Sequence, residues 1–303
     1  MNDIVNKIKK LRREKNAVIL SHNYQLSEVQ DIADFIGDSL GLSIEASKTK
    51  ARLIVFCGVR FMAETAAIIC PDKKVVMPDL NAGCPMADMI RPDDVRKLRS
   101  QHPGAIVVAY VNTSAEVKAE SDYCCTSANA VKVVEKLKDK DMIFIPDKYL
   151  GDYVSRQTGK KMVLFNGYCP AHVKILPEHI SKVKKEHPKA LIIVHPECLP
   201  EVIAMADKVA STGGMIKYVK ESKNQEFIIG TETGIIYRLQ KENPQKKFYP
   251  ATELAVCPNM KKTTLEKILW ALEDEQNVIT VPEKIAEKAR IAINRMLEIN
   301  RMD

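Results

Sequence analysis

Lys160-Lys161-Met162-Val163-Leu164, leading to Cys169-Pro170, is the stretch that decides the fold, because the chain repeats it. Lys73-Lys74-Val75-Val76-Met77 leads to Cys84-Pro85, and Lys246-Lys247-Phe248-Tyr249 leads to Cys257-Pro258. The three cysteines stand 85 and 88 residues apart. A segment recurring at near-constant spacing marks a repeated structural unit.

Reading outward, each unit has the same order. Ile4, Val5, Ile8 and Leu11, set among basic residues, predict an amphipathic helix in the first 16 residues. Ala17-Val18-Ile19-Leu20, Ala105–Ala109 and Ala190–Val194 are continuous apolar runs, as in parallel strands buried on both faces. The first is followed by a predicted helix running to Phe35-Ile36. Later helices are read from Leu42, Met62, Pro92, Ala130 and Pro177, and further strands at Leu53–Gly58, Met142–Pro146 and Phe227–Gly230. After Cys257, a helix (Leu265 to Glu273), a short strand (Val278–Val281) and a last helix (Glu283 to Leu297) read as a fourth copy that stops early. The expected class is α/β: three pseudo-threefold-related repeats, each a short parallel sheet flanked by helices, around a central site. The expected boundaries are 1–84, 85–169 and 170–257, with a helical tail over 258–303 packing on an existing domain because it is too short for its own core.

Composition narrows the function. The 303 residues are 46% hydrophobic and 28% charged, as in ordinary globular proteins. No apolar run reaches the roughly 18 residues of a membrane helix, and the first residues lack a secretory apolar segment. Eight cysteines without an export signal point to the reducing cytosol, where thiols serve as ligands or buried groups. The net charge of +7 sits mainly on helix-like faces, and no basic stripe with interleaved aromatics suggests nucleic acid. A mild positive field suits small anionic substrates.

In parallel sheets ligands bind beyond the carboxyl ends of the strands. Those ends carry His22, Tyr110 and His195. Two residues on stand Tyr24, Asn112 and Glu197, and seventeen on stand Ser39, Ser127 and Thr212. The cysteines follow at 62, 59 and 62 residues. Repeats retained for packing alone should match at apolar positions, whereas these match at polar ones, so three loops are expected to converge on one site. Each cysteine alone reads as an inert buried thiol; three in register read as ligands. Structural zinc wants four ligands, usually with CxxC spacing, and neither is present. Three thiolates instead suit a [4Fe–4S] cluster with one iron lacking a protein ligand and free to act as a Lewis acid. Cys57, Cys70, Cys124, Cys125 and Cys198 do not recur in register and are read as core or supporting residues, and adjacent Cys124 and Cys125 are strained for a mutual disulfide. Ser39, Ser127 and Thr212 precede helix-like segments, where a hydroxyl caps the helix, binds an anion, or both. Tyr24 and Glu197 are the candidate acid–base pair. His172 either faces substrate or supports the site, and His102, His179 and His187 are read as surface residues.

The sequence resembles the quinolinate synthase A family. The resemblance is carried by Ser21-His22-Asn23-Tyr24-Gln25, Gly37-Asp38-Ser39, Asn81-Ala82-Gly83-Cys84-Pro85-Met86-Ala87, Tyr110-Val111-Asn112-Thr113, Asn166-Gly167-Tyr168-Cys169-Pro170-Ala171-His172, His195-Pro196-Glu197-Cys198, Ser211-Thr212-Gly213 and Cys257-Pro258-Asn259-Met260. It implies three α/β domains around a [4Fe–4S] cluster bound by Cys84, Cys169 and Cys257. It also implies condensation of iminoaspartate with dihydroxyacetone phosphate to quinolinate, phosphate and water in NAD biosynthesis. His22, Ser39, Tyr110, Asn112, Ser127, His195, Glu197 and Thr212 would then line the substrate pocket. The partner implied is the enzyme supplying iminoaspartate, L-aspartate oxidase or aspartate dehydrogenase. Two rivals remain at this level. Another three-cysteine iron–sulfur enzyme, of radical or reductive dehydroxylase type, would need electrons. A non-catalytic metal-binding regulator would need a DNA- or partner-binding element, and no helix-turn-helix pattern is evident.

Overall fold

A computed structural model describes residues 2–301. It contains three four-stranded parallel sheets. The first holds β1 (Ala17–His22), β2 (Phe35–Gly37), β3 (Leu53–Cys57) and β4 (Lys74–Val76). The second holds β5 (Ile106–Tyr110), β6 (Tyr123–Cys125), β7 (Met142–Ile145) and β8 (Val163–Leu164). The third holds β9 (Leu191–Val194), β10 (Lys208–Val209), β11 (Glu226–Gly230) and β12 (Lys247–Pro250). All three have one strand order: β2-β1-β3-β4, β6-β5-β7-β8 and β10-β9-β11-β12. The chain leaves the first strand of each sheet to one side and then crosses to the other. The crevice of each sheet therefore opens where β1, β5 and β9 end.

The apolar runs are continuous because both faces of the strands are covered. In the first sheet Ile19, Leu53, Val55 and Cys57 pack under the helices Asn2–Glu14 and Leu265–Asp274. Their neighbours Leu20, Ile54 and Phe56 point into the main core, which runs on into the second sheet. A fully buried Ile or Leu contributes about 1.5–3 kcal/mol, so this two-sided burial fixes the strand register.

Two readings of local structure are corrected. Phe35-Ile36 lie on a strand, paired with Leu20 and Ser21 of β1, not on a helix. Val278 makes only an isolated antiparallel bridge with Val76 in place of a strand. The first segment is too short to carry helical periodicity, and the second meets the edge strand β4 at a single bridge, Met77 N donating to Asn277 O at 3.1 Å and Ile279 N to Val75 O at 2.9 Å. The helix Glu283–Arg301 lies against the helices Ala115–Ala119 and Arg60–Ile69 and against β6. Arg290 Nε donates to Ile68 O at 2.8 Å and Arg295 to Asp122 O at 2.9 Å, so this helix joins the first two sheets.

Candidate active site

The three strand ends meet. His22, Tyr24, Ser39, Tyr110, Asn112, Ser127, His195, Glu197, Thr212, Cys84, Cys169 and Cys257 all line one cavity, with about 640 Å³ of non-atom space. No two sheets could form this wall alone, since each supplies one cysteine and one strand-end group.

The thiols share a local design. Three residues after each cysteine a 3₁₀ turn begins: Ala87–Met89, His172–Lys174 and Met260–Lys262. The sulfurs accept backbone N–H groups from the second and third residues beyond them: Met86 and Ala87, Ala171 and His172, Asn259 and Met260. Such amides favour a thiolate, but burial dominates and pushes the Cys84 thiol up to about 12. The chain alone thus keeps it protonated, and a metal would have to displace that proton. The remaining five cysteines are buried and line no part of the cavity.

The two strand-end histidines are built alike. Tyr24 N donates to His22 Nδ1 at 3.2 Å, and Glu197 N donates to His195 Nδ1 at 3.3 Å. Burial holds both imidazoles near pKa 3, so they are neutral. With Nδ1 accepting, Nε2 carries the hydrogen, and each ring is a fixed neutral donor. His195 gives that hydrogen to Ser127 Oγ at 3.1 Å.

Glu197 is the hub of a buried hydrogen-bond chain. Tyr110 Oη donates to its Oε1 at 2.5 Å, and His172 Nδ1 lies 2.8 Å from its Oε2. His172 Nδ1 then carries the hydrogen and Nε2 accepts from Thr231 Oγ1 at 2.8 Å. Thr231 in turn accepts from Tyr24 Oη at 2.6 Å. Burial alone would raise the Glu197 pKa, but His172, His195 and the Tyr110 hydrogen bond outweigh it and hold the carboxyl below its ordinary range. Tyr24 and Tyr110 are pushed up, first by burial and then by the Glu197 charge, and stay phenols. The chain Tyr24–Thr231–His172–Glu197 can pass a proton between the cavity surface and a buried carboxylate once a small turn of the His172 ring aligns its Nδ1–H with Glu197 Oε2.

The far wall brings together two helix starts. Asp38 caps the helix Ser39–Lys48, accepting Gly41 N at 2.8 Å, and Ser211 caps Thr212–Glu221, accepting Gly214 N at 3.2 Å. The caps are thus the residues just before Ser39 and Thr212, which leaves those two hydroxyls for the cavity. Ser211 Oγ also donates to Asp38 at 3.2 Å, and Asn23 Nδ2 donates to Thr212 Oγ1 at 2.9 Å. A Cβ on Gly213 would stand 2.7 Å from Asp38 Oδ2, so only glycine allows this approach. Asn112 Oδ1 is buried with no hydrogen-bond partner among the described residues and lies on the same cavity.

Thr231, Asp147 and Glu232 escaped the sequence reading. Glu232 Oε1 accepts Cys257 N at 3.1 Å, and the buried Asp147 carboxyl accepts Cys169 N. Both lie 37 residues past their strand end, where the first repeat has Val59, so the spacing held a signal in two copies. Thr231 had none, since Gly58 and Pro146 occupy its equivalents. His102, His179 and His187 are half-buried rather than exposed and stand off the cavity; His187 stacks on Tyr249 with ring centres 3.5 Å apart.

Comparison with known proteins gives the family. A family model described as "Quinolinate synthetase A protein" matches residues 6–298. The chain belongs to the quinolinate synthetase A family. A quinolinate synthase of Dehalococcoides mccartyi (strain CBDB1) is 57% identical over 296 residues, 98% of each chain. One of Methanosarcina barkeri is 53% identical over 297 residues, 98% of each chain, and one of Geotalea uraniireducens 54% over 300 residues, 99% of each. This member of the quinolinate synthetase A family is an enzyme, and among its described residues no helix is long and apolar enough to cross a membrane.

Proposed function

We propose that this enzyme condenses iminoaspartate with dihydroxyacetone phosphate, giving quinolinate, phosphate and two waters, in the cytosol as a step of NAD biosynthesis. The observation that carries this reading is the joint lining: three thiols, one per repeat, face neutral imidazole donors, a buried proton chain and two helix starts. The residues fit a [4Fe–4S] cluster held by Cys84, Cys169 and Cys257, which when bound would supply an iron Lewis acid with no fourth protein thiolate. Cys169, His172 and Glu197 also cluster within 4.8 Å of one another, as a single metal ion would want. His172 and Glu197 are already committed to each other, to Thr231 and to Tyr110, which favours their use as proton carriers.

The chain's own groups cover the remaining needs. Ser39, Thr212 and the amides of their helices bind phosphate or carboxylate oxygens. His22, as a neutral donor, holds a carbonyl or carboxylate oxygen without adding charge, and His195, whose N–H is given to Ser127 Oγ, aims that hydroxyl at the substrate. Asn112 Oδ1 takes a substrate N–H or O–H. Tyr24 gives or takes a proton at the reacting carbon skeleton, with Thr231, His172 and Glu197 relaying it inward. An upstream L-aspartate oxidase or aspartate dehydrogenase supplies the imine.

Anaerobic reconstitution with iron and sulfide, followed by chromatographic detection of quinolinate from the two substrates, tests this. Quinolinate formed without added reductant is the expected result. A strict need for reductant would favour a radical or reductive dehydroxylase, and zinc in place of iron would overturn the reading.

A further inference from the structure

Lys118 is fully buried on the short helix Ala115–Ala119, and the chemistry above makes no use of it. Its ammonium donates to Thr113 O, sits 5.5 Å from the centre of the Phe61 ring and forms no ion pair among the described residues. Lys246 shows what a well-served buried lysine looks like here. Its ammonium donates to Val219 O and Ser222 O at the carboxyl end of the helix Thr212–Glu221. Lys118 has one carbonyl and no helix end. The nearby Glu64 is committed elsewhere, to Arg60 Nε at 2.9 Å and Ala115 N at 3.1 Å, and Glu116 is exposed. The other groups within its field are the thiols Cys124 and Cys84. Phe61 and Cys84 line the same cavity. Burying an ammonium costs several kcal/mol unless an anion offsets it. Glu64 and Glu116 offset it only in part, the first being shared with Arg60 and the second solvated, which leaves room for further negative charge on the cavity side.

The equivalent position of the first repeat shows what this site needs structurally. Gln30 and Lys118 both lie eight residues past their strand end. Gln30 Nε2 donates to Gln25 O at 2.9 Å, just as Lys118 donates to Thr113 O, and Gln25 and Thr113 are both three residues past the strand end. A neutral amide therefore makes this backbone clasp, and the charge of Lys118 is surplus to it.

We propose that Lys118 is the buried counter-ion of the anionic metal group held at Cys84, raising its reduction potential and slowing its loss. Lys118 is a positioning residue that touches neither substrate nor metal. The proposal rests on the cluster reading given above. Cysteine thiolates give such a cluster net negative charge, and one-electron reduction adds more, so a buried cation favours both retention and reduction.

The test uses Lys118→Gln, which keeps the clasp and removes the charge, with Lys118→Met as the isosteric second variant. Iron and sulfide content, midpoint potential by dithionite titration, and the rate of cluster loss to a chelator are measured on reconstituted protein. Melting temperature is followed with and without the cluster. The expected result for Lys118→Gln is apo-protein stability at or above wild type, a lowered midpoint potential, and cluster loss at least several-fold faster. Its melting temperature should gain less on cluster assembly than wild type. Wild-type potential and cluster lifetime in Lys118→Gln and Lys118→Met would overturn the proposal and leave the cluster reading intact. If wild-type protein takes up no iron and sulfide, both fall together.

Discussion

Replacing Thr231 with Val tests the proton chain at the member with no repeat equivalent. The change keeps the shape of the side chain and removes one hydroxyl. That hydroxyl bridges Tyr24 Oη at 2.6 Å and His172 Nε2 at 2.8 Å, and Thr231 is 1% exposed, so water cannot replace it. Two buried hydrogen bonds at about 1 kcal/mol each set an upper loss near 2 kcal/mol. Tyr24 Oη and His172 Nε2 already lie 3.4 Å apart, and a small shift would let them bond directly and recover part of it. A net loss of about 1–2 kcal/mol should lower the melting temperature by about 2–6 °C. The rate should suffer more than the fold, because a relay through a strained direct contact transfers its proton poorly. A fall in kcat of about 10–100-fold, or about 1.4–2.7 kcal/mol of barrier, is expected with KM little changed. Thr231→Ser restores the hydroxyl and should restore most of kcat. Steady-state quinolinate formation by reconstituted protein reads this directly. Wild-type kcat in Thr231→Val, or a serine variant as slow as the valine one, would refute the relay.

Other outcomes follow from the same geometry. Cys84→Ala, Cys169→Ala and Cys257→Ala should each abolish iron and sulfide uptake, whereas Cys57→Ala and Cys70→Ala should keep it and lose only packing stability; an intact cluster in any of the first three counts against the ligand set. His22 and His195 titrate near 3 in the folded protein, below their ordinary 6.5, so the unfolded chain binds protons that the native one refuses. Stability is therefore complete above about pH 6.5 and is lost as pH falls toward 3, by about 2 kcal/mol per histidine at pH 5. Melting curves of the apo-protein between pH 7 and pH 5 measure this, and His195→Gln should flatten the slope. Gly213→Ala should displace the Asp38 carboxylate, offsetting the usual helical gain of about 1 kcal/mol with lost capping, and should raise KM for the phosphorylated substrate; unchanged kinetics would show that the two helix starts need not meet so closely.

Much of this protein was legible in its residues alone. Each repeat writes the same local message: an apolar run too continuous for anything but a strand covered on both faces, a polar group at its end, a hydroxyl seventeen residues on, a Cys-Pro near its close. Burial and backbone geometry act within one repeat, so three copies reinforce one another and expose the positions held for something other than packing. The short pieces were harder. Phe35–Gly37 becomes strand because β1 offers it an open edge, and Val278 stays outside a sheet because β4 offers only one bridge. The tertiary structure alone decided what passes between repeats. Tyr24 comes from the first, His172 follows the second cysteine, and Thr231 and Glu197 come from the third. Their contacts have no common spacing, since each is made by side chains of unrelated length reaching across an interface. A hydrogen bond depends on a few tenths of an ångström in three dimensions, and one-dimensional order carries no record of that distance.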